Sequence, residues 1–470
     1  MTASKEQHPA SKLAYRRQNA WDCLGEAEKA GVMAFAGDYK KFLDAAKTER
    51  EVIGVTVRHL NNVGFRPLNS MMKLKPGDRI YTVNRHKALI AAVIGKRSLE
   101  YGLNAVGAHA DSPRLDLKPM PLFEDEEMAF FKTHYYGGIK KYQWLSIPLA
   151  LHGIVVKANG DPVQVTVGER QGDPVFTIPD LLPHLAKDQM DKKMADAVPG
   201  ENLNILVGGI PLPGSELKKR FKLAILEYMN REYGIVEEDL ISAELELVPA
   251  WPAMDVGFDR SFVGGYGQDD RVCVYTALRA LAETSLPERT ALVLLSDKEE
   301  IGSSGNTGME SVFFTNTVRE ITARCVSNYN ELTARRVLVN SLALSADVNA
   351  GFDPNYGDVS EKMNTARLGA GAVLTKYTGS RGKYESNDAH AEVVALVRKL
   401  FNEAGVIWQT GELGKVDQGG GGTIAHLLAD HGMDVLDCGV ALLGMHSPFE
   451  VASKADIFMA YKGYKAFFSG

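Results

Sequence analysis

The stretch Thr290-Ala291-Leu292-Val293-Leu294-Leu295-Ser296-Asp297-Lys298-Glu299-Glu300-Ile301-Gly302 runs an apolar strand into two adjacent acids. Neighbouring carboxylates repel each other and gain nothing from burial, so a cation or a shared proton is what holds such a pair at a strand end. The plain alternative is a helix start, where the positive end of the dipole favours acids. Other apolar runs weigh against it. Residues 103–108 lead into His109-Ala110-Asp111-Ser112-Pro113, residues 342–346 into Asp347, and residues 440–445 into His446-Ser447-Pro448. In open α/β sheets, ligands gather outside the carboxyl ends of the strands, so these residues are expected to meet at a metal site.

A chain of 470 residues that is 45% hydrophobic predicts one large folding unit and a smaller one. With 53 basic and 59 acidic residues, the net charge of -6 offers no basic field for nucleic acid or an anionic membrane. Cys23, Cys273, Cys325 and Cys438 form no Cys-x-x-Cys pair, which argues against a thiolate zinc site or a disulfide framework and for a reducing compartment. No signal peptide is read at the N-terminus. No apolar run approaches the roughly 20 residues needed to cross a bilayer, so a soluble, cytoplasmic protein is expected.

Residues 14–63 have a helical pattern, and strands are predicted at 79–83, 88–94 and up to His109. Beyond Pro119 the texture changes to short alternating segments bounded by Gly and Pro, such as 163–167 and 174–178, with a helix over about 215–233 and alternation again at 243–248. After Trp251-Pro252 the strand-helix rhythm resumes. This predicts an α/β domain made of residues 1–118 and 254–470, with a β-rich domain inserted at 119–253.

Within the motifs, Asp111 is placed to support His109 by taking a hydrogen bond from its second ring nitrogen. In Gln268-Asp269-Asp270-Arg271, just before a helical pattern, one acid is expected to cap the helix while the other, Asp269, bridges two metals. The run Gly419-Gly420-Gly421-Gly422-Thr423 lacks the ending of a phosphate-binding loop. Close approach of the Gly420 and Gly421 backbone to a substrate fits it better, a plain flexible turn being the alternative.

Taken in order, His109-Ala110-Asp111-Ser112-Pro113, Asp269-Asp270-Arg271, Asp297 to Gly302, Ser345-Ala346-Asp347 with Asp353-Pro354-Asn355-Tyr356, and Met445-His446-Ser447 resemble the aspartyl aminopeptidase and vacuolar aminopeptidase I family of dinuclear zinc exopeptidases. Tyr136-Gly137-Gly138 and residues 178–185 carry the resemblance through the inserted segment. It implies a mixed sheet flanked by helices, with the insertion serving in dimerisation. It also implies two divalent ions per subunit, zinc before cobalt or manganese. Asp269 would bridge them, His109 and Asp347 would complete one ion's ligands, and Glu300 and His446 the other's.

The same resemblance makes Glu299 the general base and Asp111 the support of His109. It places His184 in a neighbouring subunit's site, where it helps hold the oxyanion. Lys376 falls near where acid-specific relatives pair a lysine with the substrate's side chain, a solvated lysine being the alternative. Peptide substrates and a dodecamer built from dimers follow. Ala110, Asp270 and residues 140–146 depart from the family pattern, which leaves the preferred N-terminal residue open. The rival functions are a dinuclear deacylase or carboxypeptidase, and an assembly scaffold without turnover.

Overall fold

The computed structural model describes residues 13–214 and 216–470. The centre is a nine-stranded mixed sheet in the order Arg66–Pro67, Arg79–Asn84, Ala88–Val93, Thr290–Ser296, Leu103–His109, Leu342–Ser345, Asp434–Gly439, Ala372–Thr375 and Trp408–Thr410. The four strands from Thr290–Ser296 to Asp434–Gly439 are mutually parallel. Ala291, Val293 and Leu295 join one apolar core, while Leu292 and Leu294 join another on the opposite face. Alternation of period two with apolar residues on both faces is what a strand covered on both sides requires.

Helices supply those covers. Glu26–Ala45, Glu49–Asn62, Gln268–Glu283, Ala391–Glu403 and Lys454–Ser469 pack on one face, and Phe313–Cys325, Glu331–Val339 and Ala425–Ala429 on the other. The helix Glu49–Asn62 begins where its sequence says it should. Thr48 Oγ1 accepts the Glu51 N–H at 3.3 Å, and Glu51 Oε2 accepts the Thr48 N–H at 3.1 Å.

Two further sheets complete the molecule. Six antiparallel strands, in the order Pro162–Val167, Leu149–Val156, Ala243–Pro249, Arg114–Asp125, Met128–Tyr136 and Asn204–Gly208, enclose their own core around Leu151, Phe131 and Ile205. A five-stranded sheet joins Met254–Val256, Phe262–Gly265, Glu450–Ser453, Ala441–Leu443 and Asn349–Ala350.

Several expectations are revised here. The run before His446 belongs to the five-stranded sheet, because Ala441–Leu443 pairs with Glu450–Ser453 and Asn349–Ala350 instead of extending the central sheet. Residues 174–178 make only isolated bridges at Phe176 and Thr177. The change to the six-stranded sheet starts at Arg114, five residues before Pro119. The N-terminal helical pattern is three helices, interrupted at Leu24-Gly25 and Ala46 to Thr48.

Gly439 ties the central sheet to Asp347. A Cβ there would lie 1.7 Å from the Asp347 carbonyl oxygen. Gly439→Ala must therefore move the Asp347 backbone. It is expected to weaken divalent-metal binding on the order of 10–100-fold, the usual effect of disturbing a ligand's support. Competition with a chromophoric chelator measures this, with far-UV circular dichroism unchanged from the parent.

Candidate active site

His109 closes the strand Leu103–His109, and Asp347 follows Leu342–Ser345 by two residues. Glu299 and Glu300 form a single 3-10 turn after Thr290–Ser296. Asp269 precedes the regular part of its helix, with non-helical angles at Asp269 and Asp270 and a cis peptide between them. His446 comes from the hairpin between Ala441–Leu443 and Glu450–Ser453, with a left-handed backbone at φ 65°. Strand ends, a helix entrance and a hairpin thus converge.

Both histidines are oriented by backbone carbonyls. His109 Nδ1 lies 3.0 Å from the Asp111 carbonyl oxygen, and His446 Nδ1 lies 2.9 Å from that of Gly138. A carbonyl only accepts, so each Nδ1 carries hydrogen and each Nε2 faces the acids. His109 Nε2 is 3.1 Å from Asp269 Oδ1 and 3.9 Å from Asp347 Oδ1. His446 Nε2 is 3.1 Å from Asp269 Oδ2 and 3.5 Å from Glu300 Oε2. Asp269 therefore presents one oxygen to each ring.

The fully buried Asp111 carboxylate does more than support His109, whose Nδ1 is 3.4 Å away. It accepts the backbone N–H groups of Glu299 at 3.1 Å and Glu300 at 3.2 Å, and the Tyr136 hydroxyl at 2.9 Å. The Arg114 guanidinium lies 3.9 Å from the centre of the Tyr136 ring. Arg114 is itself held by Asp116 at 2.8 Å, Glu246 at 3.2 Å and Glu49 at 3.4 Å. Ser112 donates to the Asp269 carbonyl at 2.5 Å.

Crowded acids shift one another. Burial is the largest influence on Glu299 and pushes it up to about 7, with the Asp269 and Asp111 charges adding to it against the pull of His109. Burial likewise lifts Glu300 and Asp347 well above the usual carboxylate range. It also opposes the charge on Asp269, but the hydrogen bonds to His109 and His446 prevail and hold that carboxyl low. For His446 burial disfavours the proton, and Asp269 and Glu300 overcome it, raising the ring to about 10.

This donor set suits a divalent cation. Glu300 Oε1 and Asp270 Oδ1 are buried with no hydrogen-bond partner. Two groups of ligand atoms within 4.8 Å of one another share His109: one adds Asp269 and Glu300, the other Asp270 and Asp347. Imidazole nitrogens with carboxylate oxygens are the ligands zinc takes. Asp270 differs from Asp269 in its aim. Its Oδ2 accepts the His109 N–H at 3.3 Å, and it does not line the cavity that Asp269 reaches. The expected helix-capping acid is thus a backbone anchor for His109.

The cavity has a volume of about 620 Å³ and is lined by Asp269, Glu299, Glu300, Asp347 and His446. Gly420 and Gly421 line it too, as does Gly138 from beyond the end of Met128–Tyr136. Lys376 is not among the lining residues. It is exposed and pairs with Asp388 at 2.8 Å. His184 is exposed on the short turn Pro183–Leu185 and does not line its own chain's cavity. Sequence reading missed Tyr136, Gly138 and Asp270 as site residues. The adjacency of two aspartates was the available signal for Asp270, and the quoted Tyr136-Gly137-Gly138 the signal for the others.

A mixed α/β sheet with imidazoles and carboxylates gathered in a cavity beside its strand ends defines a metallohydrolase. The family profile described as Aminopeptidase I zinc metalloprotease (M18) matches residues 42–468, and the chain belongs to that family. It is 52% identical over 454 residues to a probable M18 family aminopeptidase 1 of Clostridium acetobutylicum, covering 96% of this chain and 97% of the relative. The crystal structure of an M18-family aminopeptidase from Thermotoga maritima matches with a TM-score of 0.94 at 50% identity, covering 97% of this chain and 100% of the other. A structure of the S. cerevisiae mApe1 dodecamer, 23% identical with a TM-score of 0.73, covers 92% of this chain and 96% of its own and shares the fold. The protein is an aminopeptidase, a peptide hydrolase of the zinc metalloprotease class.

A divalent cation held by these residues would have to displace protons from them. His446 is raised to about 10, so its contribution to the stability of the metal-free protein is complete below its ordinary value near 6.5 and lost as pH climbs through 10. Glu299, raised to about 7, contributes fully below about 4.5 and loses that contribution through pH 7. At pH 7.5 zinc binding is expected to release at least the His446 proton. Calorimetric binding enthalpies in buffers of different ionisation enthalpy should therefore differ; identical enthalpies would contradict it.

Proposed function

We propose that this aminopeptidase removes N-terminal residues from peptides using two divalent ions per subunit, with zinc as the natural metal and cobalt or manganese as substitutes. The observation that carries this reading is the double contact of Asp269, one oxygen 3.1 Å from each histidine Nε2. A carboxylate so placed suits a bridge. His109 and Asp347 then complete one ion's protein ligands, and Glu300 and His446 the other's. Bound there, the ions supply Lewis acidity toward the scissile carbonyl and acidify water.

Glu299 lines the same cavity and is left free by that ligand set. Burial raises its basicity, and its place beside that ligand set suits it to take a proton from the attacking water and hand it to the leaving amine. Water thus adds across the C–N bond, its oxygen to the acyl carbon and its proton to the nitrogen. Asp111 acts as a positioning residue, seating Glu299 and Glu300 by their amides. Gly420 and Gly421 offer backbone to the substrate at the cavity wall.

We assign residues 1–118 with 254–470 to catalysis and 119–253 to assembly, as a homo-oligomer of the dodecameric kind. The exposed Leu181, Leu182 and Leu185 support a face covered by a partner. His184 lies among them and would enter a neighbouring subunit's site. The four free thiols and the lack, among the described residues, of any helix long and apolar enough to cross a membrane are compatible with a cytoplasmic location.

Glu299→Gln should retain both ions yet lose on the order of 10²–10⁴ in rate, the share of general acid-base catalysis. Turnover near the parent's would remove Glu299 from that role. If His184 works across subunits, mixing His184→Ala with Glu299→Gln protomers should restore activity that neither parent has, because some sites then hold an intact base and an intact histidine. Mixed oligomers, shown by mass to contain both, that are no more active than the sum of the parents would place His184 elsewhere.

A further inference from the structure

We propose that Glu450 is a positioning residue that locks Asp269 to His446 through their backbone amides and so fixes the spacing of the ligands around one ion. The inference rests on the dinuclear reading above. Glu450 is 1% exposed, opens the strand Glu450–Ser453, and forms no ion pair among the described residues. Its Oε1 accepts the His446 N–H at 2.8 Å and its Oε2 accepts the Asp269 N–H at 3.1 Å. Each carboxylate oxygen is thus spent on the amide of one proposed ligand residue, and those two residues approach His109 and Glu300 from separate parts of the chain.

The surroundings hold Glu450 itself in place. Its strand pairs antiparallel with Phe262–Gly265, Gly265 opposite Glu450, and Phe262–Gly265 leads directly toward Asp269. The Gln268 side-chain amide donates to the Glu450 carbonyl at 2.7 Å and to the Val263 carbonyl at 3.1 Å. At the other side, His446 has φ 65°, a conformation side-chain-bearing residues seldom adopt. The bond from its N–H to Glu450, four residues on, is one interaction that keeps the hairpin there. Asp111 does the same for Glu299 and Glu300, taking both of their amides. Two buried carboxylates thus hold four of the proposed site residues by their backbone amides.

Only a carboxylate accepts on both arms. In Glu450→Gln the amide NH₂ must face a backbone N–H, donor against donor, and one grip is lost at nearly constant volume. Zinc titration of the metal-free full-length protein against a chromophoric chelator should give two ions for the parent. In Glu450→Gln one ion should bind on the order of 10–100-fold more weakly, with kcat recovering as zinc is raised. Glu450→Asp, which keeps the carboxyl group but cannot reach both amides, should show the same selective weakening to a smaller degree and serves if Glu450→Gln does not fold. Parental affinities in the variant that folds would overturn the inference and leave the dinuclear reading standing. Equal weakening of both ions without recovery in excess zinc would overturn it too, as the mark of a loosened fold. Fewer than two ions on the parent would overturn the dinuclear reading and this inference together.

Discussion

Repulsion among buried carboxylates is the constraint to which the rest of this molecule answers. Asp111, Asp269, Asp270 and Glu450 are all 3% exposed or less, and Glu299, Glu300 and Asp347 border the same cavity. Two unit charges 4 Å apart repel by about 4 kcal/mol at an effective dielectric of 20, so such a gathering persists only where protons, cations or hydrogen-bond donors offset it. The fold supplies them in two forms: imidazole rings whose Nδ1 atoms are fixed by carbonyls, and backbone amides aimed at Asp111, Asp270 and Glu450. What those leave uncompensated is charge that a divalent cation can satisfy.

Seen this way, the central sheet and the small five-stranded sheet have complementary tasks. The central parallel strands set His109, Glu299, Glu300 and Asp347 along one edge, buried against helices on both faces. The five-stranded sheet brings in Asp269 and His446 from chain segments some 180 positions apart, joined at Glu450. Farther out, Arg114 carries the compensation away from the cavity, stacked on Tyr136 and paired with Glu49, Asp116 and Glu246. Charge balance extends well beyond the cavity itself.

The long strands and the motif at Glu299-Glu300 were legible in the sequence because an unbroken apolar run ending abruptly in acids reads as a strand buried on both faces. Short segments were not. Ala441–Leu443 has three residues, too few for a period, and its sheet is chosen by pairing with Glu450–Ser453. Glu450 itself reads as an ordinary acid after a Ser-Pro loop, and only contact with Asp269, 181 positions earlier, makes it a buried acceptor. Lys376 carries no sign of its partner Asp388, twelve residues on, because both sit in a loop whose turns are irregular.

The six-stranded sheet also has a hand in the chemistry of its own subunit. Tyr136 closes the strand Met128–Tyr136 and holds Asp111, while Gly138 just after it fixes the His446 ring. A nascent chain whose central sheet has formed before that strand docks has neither His446 nor the Glu299-Glu300 turn fully seated. The site is therefore complete only when the six-stranded sheet is docked beside the central one.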